Sequence, residues 1–248
     1  MRKIAAFLLC FCLLSVSSLT ALAQSSVSQD GSGGAVISVT VPDSHTLTVR
    51  AEHAQVLYGG QADEIFSVER LSEPRLLIRP ENGYRVTKVL LNSEDITAEI
   101  KSGYYTMEPV YEDGALTVET ETVPASSDGS HDISGTITDE NGDPIPGAVV
   151  DIGGQTGTTD EDGKFTIPDV PDGYYPVTIT DEDGNILGYT EVEIGAGDPG
   201  VAQNPDGSYA LTAPENAALG LELTVTENGR ISVDKLTDIT PENPDSGP

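Results

Sequence analysis

The chain has 248 residues and sets 41 acidic against 12 basic side chains, a formal net charge of −29. Such a field repels nucleic-acid phosphates and anionic lipid headgroups, so neither is expected as a partner. Tryptophan is absent and aromatics make up 5%, which weighs against a sugar-binding platform of large exposed rings, although nine tyrosines keep that chemistry available.

Residues 1–23 read as a secretory signal peptide: basic "MRK", apolar "IAAFLLCFCLLSV", then small-residue "ALA" before Gln24. The apolar stretch is too short for a retained membrane span. Both cysteines, Cys10 and Cys12, lie inside it. The exported chain therefore has no disulfide and no thiol nucleophile, and its core alone must stabilise it. "QSSVSQDGSG" over 24–33 reads as a flexible leader.

From residue 34 to 123 apolar and polar residues alternate in short runs, "AVISVTV", "HTLTVRA", "IFSVERL", "RLLIRP", "YRVTKVLL" and "ALTVETETV". Glycine- and proline-bearing turns separate them, so the expectation is an all-β sandwich. "SEDITAEI" amounts to one helical turn or a strand end. "PASSDGSH" (124–131) reads as a linker. A second all-β stretch covers 132–238, with clean alternation of Leu219, Leu221, Leu223 and Val225. Residues 239–248 read as a disordered tail. Charge is uneven: 34–123 carries 7 basic and 15 acidic side chains, 124–248 carries 3 and 25. Solubility is the first reading of that acidity.

"TDENG" (138–142) returns as "TDEDG" at 159–163 and 180–184, each copy 21 residues after the last. The spacing is that of alternate turns in a meander or Greek key. The turns ending at Gly142, Gly163 and Gly184 should therefore share one pole of the second sandwich, with "NPDG" and "TENG" continuing the series. The Asn-Gly and Asp-Gly pairs suggest tight turns in which both central residues take positive φ. A calcium loop needs oxygen ligands at positions 1, 3 and 5, glycine at 6 and glutamate at 12. Here glycine arrives at position 4, so no single copy makes one. Only a composite site remains for calcium, with Asp139, Asp160, Asp162, Asp181 and Asp183 as candidates, and solvated turns are the expected reading.

"ISGTITDENGDPIPGAVVDIGGQTGTTDEDGKFTIPDVPDGYYPVTI" resembles the carboxypeptidase regulatory-like domain, a transthyretin-like β-sandwich, over about 132–195. Gly135, Asp139, Gly142, Pro144, Ile145, Gly147, Ala148, Val150, Thr159, Asp162, Gly163, Phe165 and Tyr175 carry the pattern. The resemblance implies a core filled by Phe165, Ile167, Val177 and Ile179, and use as an accessory, adhesive or spacer module without catalysis. Residues 34–123 are similar, through "RPENGYRVTKVLLNSEDIT" and "GYYTMEPVYEDGALTVE", to Ig-like repeats of bacterial surface proteins, with Tyr84 and Tyr105 as core or edge residues.

No catalytic pattern emerges. His45, His53 and His131 show no zinc spacing, and no G-x-S-x-G elbow is present. Lys164 and Lys235 fall on solvated positions, which disfavours an internal isopeptide bond in the second domain. The expected protein is a secreted or cell-surface, non-catalytic module without cofactor, binding an extracellular protein or glycan. A glycan-binding alternative uses one exposed ring from each of Tyr104-Tyr105 and Tyr174-Tyr175, with Tyr104 and Tyr174 as candidates. The C-terminal residues resemble neither a sortase signal nor a membrane anchor, so release or retention by a partner is expected.

Overall fold

A computed structural model describes residues 24–29, 35–124 and 129–241. The expected signal peptide, the middle of the linker and most of the tail lie outside the described residues. Among the described residues all regular structure is β apart from one 3-10 turn at Thr97–Glu99.

The N-terminal unit, ending at Asp43, is a hairpin. Strand β1 (Gln24–Gln29) pairs antiparallel with β2 (Ala35–Thr40), Val27 opposite Ile37. This corrects two expectations. The segment read as a leader supplies a strand, and "AVISVT" pairs with it instead of with the first sandwich. A Ser/Gln run with one valine is too polar to signal a strand alone, and its order comes from pairing with a β-branched partner.

The second unit runs from Ser44 and holds two sandwiches. The first comprises β3 (Ser44–Ala51), β4 (Ala54–Tyr58), β5 (Gln61–Ala62), β6 (Ile65–Glu69) and β7 (Arg75–Pro80). It continues with β8 (Tyr84–Leu91), β9 (Glu94–Asp95), β10 (Tyr104–Thr106) and β11 (Gly114–Thr122). One sheet has the order β10-β7-β4-β5, the other β6-β3-β11-β8-β9. Alternation buries His45, Leu47 and Val49 on β3, and Phe66 and Val68 on β6, against Val56, Leu76, Ile78, Leu116 and Val118.

The second sandwich comprises β12 (Ser130–Asp139), β13 (Val149–Ile152), β14 (Gln155–Thr158), β15 (Lys164–Pro171) and β16 (Gly173–Thr180). It closes with β17 (Ile186–Ala196), β18 (Gly200–Gln203), β19 (Tyr209–Ala213), β20 (Leu219–Val225) and β21 (Ile231–Asp238). Sheet β15-β12-β20-β21 faces sheet β14-β13-β16-β17-β19-β18. The core expectation holds: Phe165, Ile167, Val177 and Ile179 pack with Ile133, Ile137, Leu221 and Leu223. Ile239 and Thr240, placed in the tail, are still attached, since the Ile239 amide donates to the Ala218 carbonyl at 2.8 Å.

The linker is shorter than 124–131. Val123 is tied to Gly83, and β12 has begun by Ser130. His131 is therefore a strand residue. Its side chain is 0% exposed, with Nε2 2.8 Å from Asp172 Oδ1 and Nδ1 3.0 Å from the Ala217 carbonyl. Both partners are acceptors. A neutral ring satisfies one of them and a doubly protonated ring satisfies both.

Candidate functional site

Strand registers gather the acidic turns as expected. Thr136 pairs with Lys164, so the end of β12 and the start of β15 lie together. Val149 pairs with both Thr158 and Thr180, which adds the ends of β14 and β16 to the same pole. Asp139 pairs with Val225, which adds the 226–229 turn.

The turns themselves differ from the expectation. Only the glycine is left-handed in each, from φ +62° at Gly229 to +91° at Gly207, and the preceding Asn or Asp is not. Each is a type I turn followed by a glycine bulge. Asp139 shows the arrangement: its N–H donates to the Asp143 carbonyl at 2.9 Å, and Gly142 N–H returns to its own carbonyl at 3.0 Å. Its Oδ1 accepts the N–H groups of Asn141 and Asp143, both at 2.9 Å. Asp160 Oδ1 takes Asp162 and Lys164 at 2.9 and 2.8 Å. Asp181 Oδ1 takes Asp183 and Asn185 at 3.0 and 2.8 Å. These bonds hold the Asp139 carboxyl below the usual carboxylate range, chiefly through the Asp143 N–H, and the Asp181 carboxyl likewise, chiefly through the Asn185 side chain.

The leading aspartates are thus turn caps. Their Oδ1 lone pairs, which a shared ion would need, are directed at backbone amides. Asp162 pairs instead with Lys164 Nζ at 3.0 Å, in solvent. No group of three His, Cys, Asp or Glu among the described residues is placed to hold a metal.

A second constellation was not foreseen. Around Tyr189 the outer face of the six-stranded sheet does not look onto water; it packs against the first sandwich. Leu57, Leu77 and Tyr104 of the first meet Tyr189 and Ile186 of the second. Tyr104 and Tyr189 are in edge contact. Arg75 lies 3.6 Å from the Tyr104 ring centroid and donates to the Asn228 carbonyl. Tyr104 hydroxyl donates to Gly229 O at 2.7 Å, Ser102 N–H to Asp206 O at 2.7 Å, and Lys101 Nζ to Pro205 O at 2.9 Å. The "NPDG" and "TENG" turns are therefore the sockets into which the 101–104 loop of the first sandwich fits.

A largely desolvated carboxylate, Glu191, sits at this seam. Glu191 accepts from Tyr189 hydroxyl at 2.9 Å and from Tyr174. Desolvation raises its pKa, the two tyrosine bonds oppose that, and Asp206 adds to the rise. The Tyr174 and Tyr189 phenols are pushed up, by burial first and by Glu191 second, and so stay donors.

These positions correct the glycan candidates. In the first pair both rings are buried, Tyr104 at 9% and Tyr105 at 7% exposed. Alternation correctly turns Tyr105 to the core, but Tyr104 faces a second protein layer instead of solvent. Tyr174 is partly buried, with its hydroxyl committed to Glu191. Of the histidines, His45 is buried near Asp113, while His53 stacks on Tyr84 at 4.0 Å between centroids. Lys164 and Lys235 are exposed and paired with Asp162 and Glu222. Sequence reasoning missed Glu191 and Tyr189. Their signal was a tyrosine and a glutamate two apart on the outward face of "GYTEVEI", indistinguishable from an ordinary solvated face.

No curated protein matches the sequence. Among solved structures the chain is similar to the Bacillus anthracis TIE protein, at 14% identity over 78% of this chain and 40% of that one, with a TM-score of 0.21. It is also similar to BcpA, the major pilin subunit of Bacillus cereus, at 12% identity over 78% of each chain and a TM-score of 0.21. The chain thus spans less than half the length of the first of these proteins. Residues 132–204, from β12 through β18, match the family model of the carboxypeptidase regulatory-like domain.

Proposed function

We propose that this protein is a non-catalytic module of the bacterial cell surface or its surroundings, in which two sandwiches are locked side by side as one stiff spacer or adhesive element. The match of residues 132–204 to a domain type used as an accessory supports the non-catalytic part. The seam carries the mechanical part. Neighbouring domains joined by a short linker move independently unless the interface between them is apolar and well packed. Here Tyr189 is 0% exposed beneath the first sandwich, and three turn carbonyls accept bonds from the 101–104 loop. Rigidity suits an element that holds a binding surface away from its anchor.

Calorimetry and small-angle scattering on the full chain test this reading. The expectation is one unfolding transition for both sandwiches and a scattering curve fitted by a single rigid body from Ser44 onward. Two separate transitions, or a curve that requires two freely oriented bodies, would remove the spacer function. Antibody labelling of intact source cells tests the location, and a signal confined to lysed cells would count against it.

A further inference from the structure

We propose that the cleft between the two sandwiches is a binding site for a neutral sugar residue, a function that goes beyond the spacer reading and stands or falls separately from it. The cleft holds about 310 Å³, at the small end of ligand-sized sites. One wall is the end of β7 and the turn after it, and the other is the outer face of the second sandwich. There Asp151 and Thr178 are directly paired on neighbouring strands, so their side chains stand side by side.

The polar groups are positioned and only partly used. Arg79 Nη2 donates to Gln55 Oε1 at 2.6 Å, which fixes the guanidinium while its other N–H groups remain available. Asp151 Oδ1 accepts Gly154 N–H at 2.6 Å, which fixes the carboxylate and leaves Oδ2 as an acceptor. The Asn82 amide and the Thr178 hydroxyl line the cleft and have no partner among the described residues. A rigid acceptor, a rigid donor fork and two groups able to do both are the set that adjacent hydroxyls require, since each hydroxyl both gives and takes a bond. Pro80 and Pro176, both largely buried, close the floor of the cleft between these polar groups.

Charge selects within the polyols. Glu81 and Asp151 both line the cleft, and the chain carries −29 overall. Anionic sugars are repelled, and Arg79 offsets one of the two carboxylates, which reduces the pull on a cationic one. A neutral ring meets no repulsion and uses the donors and the acceptors alike. The sugar chemistry first assigned to Tyr104 and Tyr174 is thereby moved to the mouth of the seam that buries them.

The test is an NMR titration of the isotope-labelled full chain with galactose, mannose, N-acetylglucosamine and lactose in turn, and with glucosamine and sialic acid as charged controls. The expected result is saturable movement of the Asn82 and Gln55 side-chain amides and the Gly154 backbone amide, with Kd for at least one neutral sugar on the order of 1 mM. Asp151→Asn keeps the acceptor for Gly154 and should weaken binding about ten-fold, a loss of roughly 1.4 kcal/mol. Asn82→Ala should do the same with an unchanged melting temperature, and it alone decides the matter if the Asp151 variant does not fold. Absence of saturable shifts at these three groups with every neutral sugar overturns the proposal. So does tighter binding of a charged control, or binding that neither substitution weakens. None of these outcomes bears on the calorimetric test of rigidity.

Discussion

Tyr104 of the first sandwich and Tyr189 of the second meet edge to face, with ring centroids 6.5 Å apart and planes 85° apart. Gly103 lies under this contact at φ +74°, and a Cβ there would sit 2.5 Å from Tyr189 Cε1. Gly103→Ala therefore cannot be accommodated without moving the ring. Tyr189→Ala removes a wholly buried aromatic, a change that typically costs about 3–5 kcal/mol. Both variants should split the single calorimetric transition into two. Retention of one transition in both would show that the seam does not couple the sandwiches.

Acidity should tighten the seam. The folded-state pKa of Glu191 is raised above its ordinary value of 4.5, so its ionised form is the disfavoured one. Stability from this group is complete below the unfolded value and is lost as pH rises through the folded one. Facing it are Tyr174, Tyr189 and Asp206, with Arg79 and Arg85 beyond the phenols. Glu191→Gln should raise the urea midpoint at neutral pH, and its advantage should shrink as the pH falls through the carboxylate range. An advantage independent of pH would refute the assignment.

The turn caps give the opposite sign. The carboxyls of Asp139 and Asp181 are depressed, so their contribution is present above the unfolded value and is lost as pH falls through the lowered one. Because Oδ1 of each leading aspartate already takes two backbone amides, the melting temperature should be the same in calcium and in excess chelator. A rise with calcium would mean native-state binding and would restore the composite site at Asp139, Asp160 and Asp181.

Removing one partner from the His131–Asp172 pair leaves a buried polar or charged group without its match. Such losses run to about 3–5 kcal/mol, and His131→Ala should approach that in denaturant unfolding. Asp172→Asn, which keeps an oxygen in place, should cost less. Equal and small effects would show that the pair adds nothing to the fold.

Thr190 is 0% exposed in the second core and its Oγ1 has no hydrogen-bond partner. Valine has the same shape without the hydroxyl. Thr190→Val should stabilise by about 1 kcal/mol or more, the usual penalty of an unmatched buried polar atom. A lower midpoint in the variant would contradict this.

The β character and the two sandwich cores were legible because alternation survives wherever one face meets a core and the other meets water, as on β3, β6 and β20. It failed where that asymmetry fails. "RLLIRP" alternates poorly because Leu76 and Ile78 point into the first core while Leu77 points into the second sandwich. A strand covered on both faces reads as a continuous apolar run. "QTGT" and "GVAQ", the edge strands β14 and β18, carry small and polar residues on a sheet margin and leave no alternation to read. The acidic turns were found from the glycine spacing. Their real geometry depends on an aspartate folding back onto amides two and four residues ahead, which the Asp-Gly pair alone does not reveal. The cleft draws its walls from segments about seventy residues or more apart, and nothing local in either marks it.

Leu57, Leu77, Tyr104 and Tyr189 have a consequence for any attempt to divide this protein. A chain cut between Pro124 and Gly129 would yield two halves that each keep a core and each expose a sticky aromatic and aliphatic patch. Such halves should self-associate or precipitate, and mixing them should restore solubility as they reassemble. Such a cut would part Tyr189 from the rings and side chains that cover it.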